Sequence, residues 1–286
     1  MTIARKAVCL AMCVVAMLLC AACDDIEGSF DRTLKVSGPV DLDIRTNSGG
    51  VRIDGGPTDT VRVVARIRAN RWGTADAERR VQQIAQAPPI EQTGNTIRIG
   101  QTSDDDVYRS VSIGYDITVP DATRIRAVVG SGGQTIRRVQ GPVDATAGSG
   151  GVRVAQVVGD VRVTAGSGGV RLEDTTGRVQ ARTGSGGIEI TGARSFVDAR
   201  AGSGGVRIEG RPLDAWNLRT GSGGISVRVA DDTPFQVDAR AGSGGITSSQ
   251  PVTVVGEKSK NRLQGTVRGG GARLELESGS GGIHIE

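Results

Sequence analysis

The stretch from Gly148 to Ala165, GSGGVRVAQVVGDVRVTA, decides the fold because the chain repeats its pattern. Its opening tetrapeptide, Gly-Ser-Gly-Gly, occurs eight times, and the first five copies lie 18 residues apart. The later spacings of 19, 21 and 37 residues predict loop insertions in successive turns. The copies begin at Gly130, Gly148, Gly166, Gly184, Gly202, Gly221, Gly242 and Gly279. A fixed period of this kind predicts a repeat protein of stacked strands.

Apolar and polar residues alternate after each tetrapeptide, which places every second side chain on one face of a short strand. One turn cannot offset the entropy of ordering its own backbone, so neighbouring turns must stack. Stacking aligns two apolar columns. The first contains Val152, Val170, Ile188, Val206, Ile225, Ile246 and Ile283, and the second contains Val154, Leu172, Ile190, Ile208 and Val227.

These columns predict an all-β protein whose regular part, residues 130–286, is a β-solenoid resembling a parallel β-helix with about 18 residues per turn. Glycine is expected at the corners, where the backbone needs positive φ or close approach between turns. The alternative is an antiparallel double sheet, in which successive copies would lie alternately at opposite ends. Trp216 and Phe235 fall where the period lengthens, and we expect them to fill widened turns.

Residues 30–129 lack the strict period but contain alternating segments that predict strands. We interpret them as an irregular, β-rich first part of the same sheet system. A short helix is predicted near residues 74–86, ending before Pro88. The predicted strands are 40–45, 50–54, 61–68, 96–100 and 111–119.

The first 22 residues are typical of a secretory signal peptide, with Arg5 and Lys6 ahead of an apolar run. The run ends in Leu19-Cys20-Ala21-Ala22-Cys23, which resembles the lipobox of bacterial lipoproteins. We therefore predict lipid attachment, including palmitate, at Cys23, followed by a polar tether over residues 23–29. The protein would be exported and anchored in a membrane, on the periplasmic or cell-surface side.

Composition argues against several classes of function. Removal of the signal peptide leaves 33 basic and 31 acidic residues, which does not favour a nucleic-acid binder. The glycine-rich segments lack the spacing of nucleotide-binding loops. His284 is the single histidine and Cys23 the single cysteine of the processed chain, so we predict no enzyme, no metal site and no cofactor. His284 is expected to face solvent.

Several segments together resemble one known group, the bacterial putative-adhesin family of β-strand-repeat domains of unknown function. They are the signal and anchor, Tyr115-Asp116-Ile117-Thr118-Val119-Pro120, the Ser-Gly-Gly-Ile/Val units, and the ending from Leu274 to Ile285. The resemblance covers nearly all of the processed chain. It implies an envelope or adhesin-like protein and implies no catalytic residues.

One outward column is a candidate binding site. Arg182, Arg200, Arg219 and Arg240 share one register, and we expect them to lie one above another at about 4.8 Å. Such a column could bind an anionic envelope polymer or lipid head groups. The alternative is a solvated face neutralised by Asp198 and Asp238.

Three function classes stay open on the sequence alone. The first is a structural or adhesive module whose partners are the membrane, an envelope polymer or another envelope protein. The second is a ligand-binding sensor of envelope stress. The third is a carbohydrate-active enzyme that would use Asp198 and Asp238, two turns apart.

Overall fold

The computed structural model describes residues 26–69, 76–100, 106–255 and 259–286. Within these ranges, 25 strands form two long sheets, and successive strands of the repeat alternate between the two. We call the sheets A and B. Each turn thus contributes one strand to each sheet, and the apolar side chains of both meet in the interior.

The N-terminal part contributes seven strands, one α-helix and one short 3₁₀-helix. They are β1 (Ile26–Lys35), β2 (Val40–Ser48), β3 (Val51–Gly56), β4 (Thr60–Ala69), α1 (Ala77–Gln86), β5 (Ile90–Thr93), β6 (Thr96–Gly100), η1 (Asp106–Tyr108) and β7 (Val111–Pro120). Helix α1 presents Ala77, Val81 and Ile84 to the core, and it packs on β1 and β4. The alternating segments of the sequence all lie on strands here.

The regular repeat supplies twelve strands in chain order. They are β8 (Thr123–Ser131), β9 (Gln134–Val139), β10 (Val143–Ala147), β11 (Val152–Val157), β12 (Val161–Ala165), β13 (Val170–Thr175), β14 (Val179–Thr183), β15 (Ile188–Ala193), β16 (Val197–Ala201), β17 (Val206–Gly210), β18 (Trp216–Thr220) and β19 (Ile225–Val229). The C-terminal part adds β20 (Phe235–Ala241), β21 (Ile246–Ser248), β22 (Thr253–Val254), β23 (Arg262–Val267), β24 (Ala272–Ser278) and β25 (Ile283–Ile285).

Strands of successive turns pair in parallel with an offset of one repeat, so Val152 lies opposite Val170 and Val161 opposite Val179. All Gly-Ser-Gly-Gly copies lie in one column, in which the glycine at the third position of each copy contacts the glycine at the third position of a neighbour. The predicted β-solenoid is therefore confirmed, and the antiparallel double sheet is wrong. Antiparallel pairs among the described strands occur near the two ends of the sheets.

The order of the last turns differs from the expectation. Sheet A runs β1-β4-β7-β3-β9-β11-β13-β15-β17-β19-β25-β21, and sheet B runs β22-β23-β20-β24-β18-β16-β14-β12-β10-β8-β2-β6-β5. The turn made by β24 and β25 thus inserts between the turn of β18 and β19 and the turn of β20 and β21. The expectation of successive turns over the 37-residue spacing is wrong, because the copy at Gly279 lies between those at Gly221 and Gly242. The N-terminal part interleaves in the same way, since β2 and β3 lie between β8–β9 and the more distal β6–β7.

The interior is filled mainly by small aliphatic side chains, and two aromatic residues occur where turns are longer. Trp216 and Phe235 are fully buried, as expected for residues that fill widened turns. The Trp216 indole N–H donates to the backbone carbonyl of Ser195 at 3.0 Å, so its polar atom is satisfied. Near the N-terminal end, Tyr115 is buried against Phe30, and burial raises the pKa of its hydroxyl.

Candidate functional site

A long groove runs along the outer surface of sheet A beside the glycine corner, with a volume of about 920 Å³. Its floor is formed by the glycine at the fourth position of the tetrapeptide in six stacked copies. One wall is formed by the outward side chain two residues after that glycine in each copy. The floor residues are Gly133, Gly151, Gly169, Gly187, Gly205 and Gly224, and the wall residues are Thr135, Arg153, Arg171, Glu189, Arg207 and Ser226. Five inter-strand steps make the groove about 24 Å long. We call this feature the glycine groove.

The four positions of the tetrapeptide have different steric requirements. A Cβ atom at Gly148, a first position, would lie 2.4 Å from the carbonyl oxygen of Gly130. At Gly168, a third position, it would lie 2.0 Å from that of Gly150. At Gly169, a fourth position, the nearest atom would be 3.6 Å away. Close approach between turns thus requires glycine at the first and third positions of the tetrapeptide.

The backbone conformation does not require glycine at the fourth position of the tetrapeptide. Across the eight copies, a Cβ at this position would meet its nearest atom at 3.1 to 3.9 Å, and none of these residues has a left-handed φ. Alanine would make ordinary contacts at Gly133, Gly169, Gly187 and Gly245. At Gly151, Gly205, Gly224 and Gly282 the carbonyl group of the neighbouring turn would have to shift by a few tenths of an ångström. The fourth position is nevertheless glycine in every copy, and in six of them a side chain would fill the floor of the glycine groove.

The wall of the glycine groove carries charges that are largely paired. Arg153 donates to Glu173 at 2.8 Å, and Arg171 to Glu189 at 2.5 Å. Arg207 makes no ion pair or side-chain hydrogen bond within the described residues. The wall therefore offers guanidinium and carboxylate groups side by side, with a small positive excess at the end nearest Ser226.

The carbonyl groups of the floor glycines are all used in pairing between turns. The amide of Val152 donates to the carbonyl of Gly169, and that of Val170 to Gly187, each at 2.9 Å. The same bond recurs in the turns on either side. The amides of the six floor glycines, in contrast, donate no hydrogen bond within the described residues.

The predicted arginine column is present in part. Arg182, Arg200 and Arg219 lie in register on adjacent strands, but Glu277 of β24 separates Arg219 from Arg240. The expectation that all four lie one above another is therefore wrong. The inserted turn places a carboxylate in the column, and the Arg219 Nε lies 3.4 Å from the Glu277 Oε2.

Each arginine of the column also has a neighbouring carboxylate. Arg182 and Arg200 lie 3.8 and 2.9 Å from Asp198, Arg219 lies 3.1 Å from Glu275, and Arg240 lies 2.9 Å from Asp238. Exposed pairs of this kind contribute little to stability, but they reduce the positive potential of the column. Anion binding by these residues stays a prediction.

The carboxylates proposed for a carbohydrate-active enzyme are farther apart than expected. Asp198 is followed in its column by Asn217, then Glu275, then Asp238. The two aspartates are thus three inter-strand steps apart, or about 14 Å, where the sequence suggested two. Catalytic carboxylate pairs in glycosidases lie at about 5 to 9.5 Å.

His284 lies on the outward face of β25, as predicted. Its Nδ1 is 2.7 Å from the Thr247 hydroxyl, and its Nε2 is 2.9 Å from Glu286. The hydrogen bond from Arg228 lowers the pKa of the Glu286 carboxyl. No group of three or more histidine, cysteine or acidic residues placed to hold a metal occurs in the part of the chain that the structure describes.

The signal peptide, residues 1–22, and the lipid attachment site at Cys23 lie outside the described residues. The tether, residues 23–29, lies partly outside them. Its described part, residues 26–29, is not a tether, because it begins β1 and pairs with β4. Among the residues that are described, no helix is long and apolar enough to cross a membrane.

The period, the two sheets and the stacked glycine corner agree with a family model described as Toastrack DUF4097, which matches residues 41–286. This chain belongs to the Toastrack family. The match confirms the predicted resemblance to a family of β-strand-repeat domains of unknown function. No curated protein matches the Toastrack chain.

Two solved structures are similar to this Toastrack protein. One is a structure from Bacteroides fragilis that is named a putative adhesin. It is 12% identical to this chain with a TM-score of 0.50, and the similarity covers 91% of this chain and 97% of the other. A cell adhesion protein, also titled putative, from Clostridium sporogenes is 11% identical with a TM-score of 0.29, covering 90% and 99%. The similarity to the Bacteroides fragilis structure concerns the fold alone.

Sequence reasoning missed the glycine groove, although the residues that form it were known to be repeated. All three glycines of the tetrapeptide look alike as corner residues. Their different roles appear only when the distances between turns are measured.

Proposed function

We propose that this Toastrack protein is a non-enzymatic, adhesin-like module of the cell envelope that binds an extended glycan chain in the glycine groove. The observation that carries the proposal is the glycine at the fourth position of the tetrapeptide. The backbone conformation does not require glycine there, and the lack of a side chain keeps the groove floor open. The similar structure from Bacteroides fragilis is named an adhesin, and that name supports the same class of function. The lipid anchor proposed at Cys23 would hold the module at a membrane surface.

The shape and chemistry of the groove favour a glycan. It is long, open and regular, so its occupant must be an extended polymer with a short repeat. Its wall pairs guanidinium groups with carboxylates, and such pairs can both donate to and accept from sugar hydroxyls. The small net charge of the wall fits a neutral or sparsely charged polymer better than a polyanion.

The direct test is binding of residues 24–286 to arrays of envelope glycans and lipids at several salt concentrations. A variant with Gly151, Gly169, Gly187 and Gly205 all replaced by alanine should fold and should bind glycans at least about tenfold more weakly. The matched control is Gly245→Ala with Gly282→Ala, because these are fourth-position glycines outside the groove. Equal binding by the groove variant and the wild-type protein would contradict the proposal.

The arginine column on sheet B is a second candidate surface, favoured by the three adjacent arginines that remain in register. Replacement of Arg182, Arg200, Arg219 and Arg240 by glutamine distinguishes the two surfaces. If the glycine groove is the site, this variant binds as the wild-type protein does, with weak dependence on salt. Loss of a strongly salt-dependent interaction with anionic polymer or lipid would instead assign binding to the column.

A further inference from the structure

Strand β1 is the N-terminal edge of sheet A, and it is long for an edge strand. It has 10 residues and pairs with β4 in a continuous register without a bulge. The other sheet edges among the described strands are β5, β21 and β22, with 4, 3 and 2 residues. Proteins usually blunt such edges with short strands, prolines or bulges, because an unpaired edge is a template for another strand. Strand β1 has none of these three features.

Alternate residues of β1 direct their backbone groups away from β4. The amide of Val36, just after β1, donates to the carbonyl of Asp59 at 3.1 Å. In an antiparallel pair, hydrogen-bonded residues alternate with residues whose N–H and C=O point to the other side. The odd-numbered residues of β1 therefore present theirs at the edge of the sheet. The Lys35 carbonyl agrees with this direction, because it accepts from the side chain of Gln92 at 2.8 Å.

The available edge groups are symmetric about Phe30. Because the Lys35 carbonyl is occupied, both backbone groups are available at four residues of the edge. These residues are Glu27, Ser29, Asp31 and Thr33, and within the described residues the only hydrogen bond at their edge groups is the one that the Asp31 carbonyl accepts from the adjacent Arg32 side chain. An antiparallel second copy of β1 centred on Phe30 would place Glu27 opposite Thr33 and Ser29 opposite Asp31. Each of the four would then exchange both backbone hydrogen bonds with its partner.

The outward side chains are complementary in this register. Residues directly opposite in an antiparallel pair contact each other on one face, and like charges there are destabilising. Here the carboxylates of Glu27 and Asp31 meet the hydroxyls of Thr33 and Ser29, which can donate to them. Sliding one strand by two residues would instead set Asp31 opposite its own copy, or Glu27 opposite Asp31. The charges therefore select the pairing centred on Phe30.

The inward side chains fit the same register. Ile26 and Leu34 are half-buried, and the pairing would place each opposite the other. Phe30 would meet its own copy, so the apolar interior would continue across the junction. Arg32 is exposed, and it would lie opposite Gly28, where it meets no like charge. The pairing would thus cover apolar side chains at no electrostatic cost between the strands.

We propose that two copies of this protein pair antiparallel through the edges of β1, about a two-fold axis at Phe30. Sheet A would then continue without interruption from one copy into the other. Because opposite residues of the pair share a face, the two glycine grooves would lie on the same outer face of the joined sheet. One polymer surface could then engage both grooves, which raises avidity. The pairing itself does not depend on what the groove binds.

Sedimentation velocity of residues 24–286 tests the proposal, and we expect dimers at micromolar concentrations. Ser29→Pro should weaken dimer formation by about tenfold or more, because proline removes an edge N–H and leaves the bonds to β4 in place. The matched control is Val254→Pro on the edge strand β22. The Val255 amide bonds β23, so the Val254 N–H points outward, and its loss should leave the dimer unchanged. A monomer at every concentration, or equal dimer formation by the Ser29→Pro variant, would overturn the proposal.

Disulfide formation tests the register, and it does not depend on the stability of the proline variant. Residues 24–286 contain no cysteine, so an introduced thiol is unique in the chain. A mixture of the Ser29→Cys and Asp31→Cys variants should form the mixed disulfide faster than either variant links to itself, because opposite Cα atoms lie about 5.5 Å apart. Mass spectrometry of the linked peptides identifies the pair. Preferential linkage of either variant to itself would contradict the pairing about Phe30.

The alanine variant of the glycine groove separates this proposal from the proposed function. It should form dimers as the wild-type protein does, whether or not it binds glycans. Loss of dimer formation in that folded variant would overturn the assignment of the interface to β1. Unchanged dimer formation with unchanged glycan binding would contradict the groove alone.

Discussion

At the scale of single residues, the tetrapeptide combines two functions that its sequence does not separate. The glycines at the first and third positions permit close approach between turns. A Cβ added at Gly168, for example, would lie 2.0 Å from the Gly150 oxygen. Only Gly132 among the glycines of the eight copies has a left-handed φ. Close approach between turns, more than backbone conformation, therefore explains the conserved spacing of these residues along the chain.

Adjacent glycines of one copy should respond differently to alanine. Gly168→Ala should lower the free energy of unfolding by roughly 1 to 3 kcal/mol or more, because its Cβ would overlap the backbone of the next turn. Gly169→Ala should change it by less than about 0.5 kcal/mol. Chemical denaturation of the two variants measures both values. Equal destabilisation would show that the glycine at the fourth position is structural. It would remove the main support for ligand binding in the glycine groove.

At the scale of elements, the unexpected feature is the insertion of β24 and β25 between two earlier turns. Ile283 of β25 is buried between Ile225 and Ile246, although it lies near the end of the chain. Its amide donates to Gly245 at 2.9 Å, and the amide of Glu286 donates to Val227 at 2.8 Å. The last strand is therefore an interior strand of sheet A.

Hydrogen exchange should reveal this position directly. The last few residues of a chain usually exchange quickly because they fray. Here the peptide covering residues 279–286 should exchange as slowly as one covering residues 202–210 from the middle of the stack. The edge strand β22, at residues 253–254, should exchange much faster. Fast exchange at 279–286, measured by mass spectrometry, would contradict the interleaved order.

The sequence was sufficient to predict the period, the two apolar columns and the single column of corners, because these depend on local alternation. It could not order the last turns by apolar pattern, since Ile246 and Ile283 fit equally well beside Ile225. The charges gave only a weak signal. Glu277 lies favourably between Arg219 and Arg240, but Arg182, Arg200 and Arg219 lie directly opposite one another in the same column despite their like charges.

Sequence analysis could not identify the glycine groove, for a different reason. The glycine groove depends on distances between backbones of neighbouring turns, and these are not encoded in the identity of any one residue.

At the scale of the whole molecule, the two sheets present different surfaces along the same axis. Sheet A carries the open glycine groove with paired charges, and sheet B carries the arginine column. The strand pairing repeats at every turn, so a polymer lying along the axis would meet the same glycine floor at regular intervals, beside a wall residue that changes from turn to turn. This regularity is the physical basis of the proposed adhesin-like function.

Arginine-specific chemical labelling, read by mass spectrometry, tests which surface is used. Residues 24–286 would be labelled alone and with the tightest-binding glycan from the array. We expect Arg153, Arg171 and Arg207, on the wall of the glycine groove, to become protected while Arg182, Arg200 and Arg219 do not. Protection of the sheet B arginines with continued labelling of Arg153, Arg171 and Arg207 would contradict it.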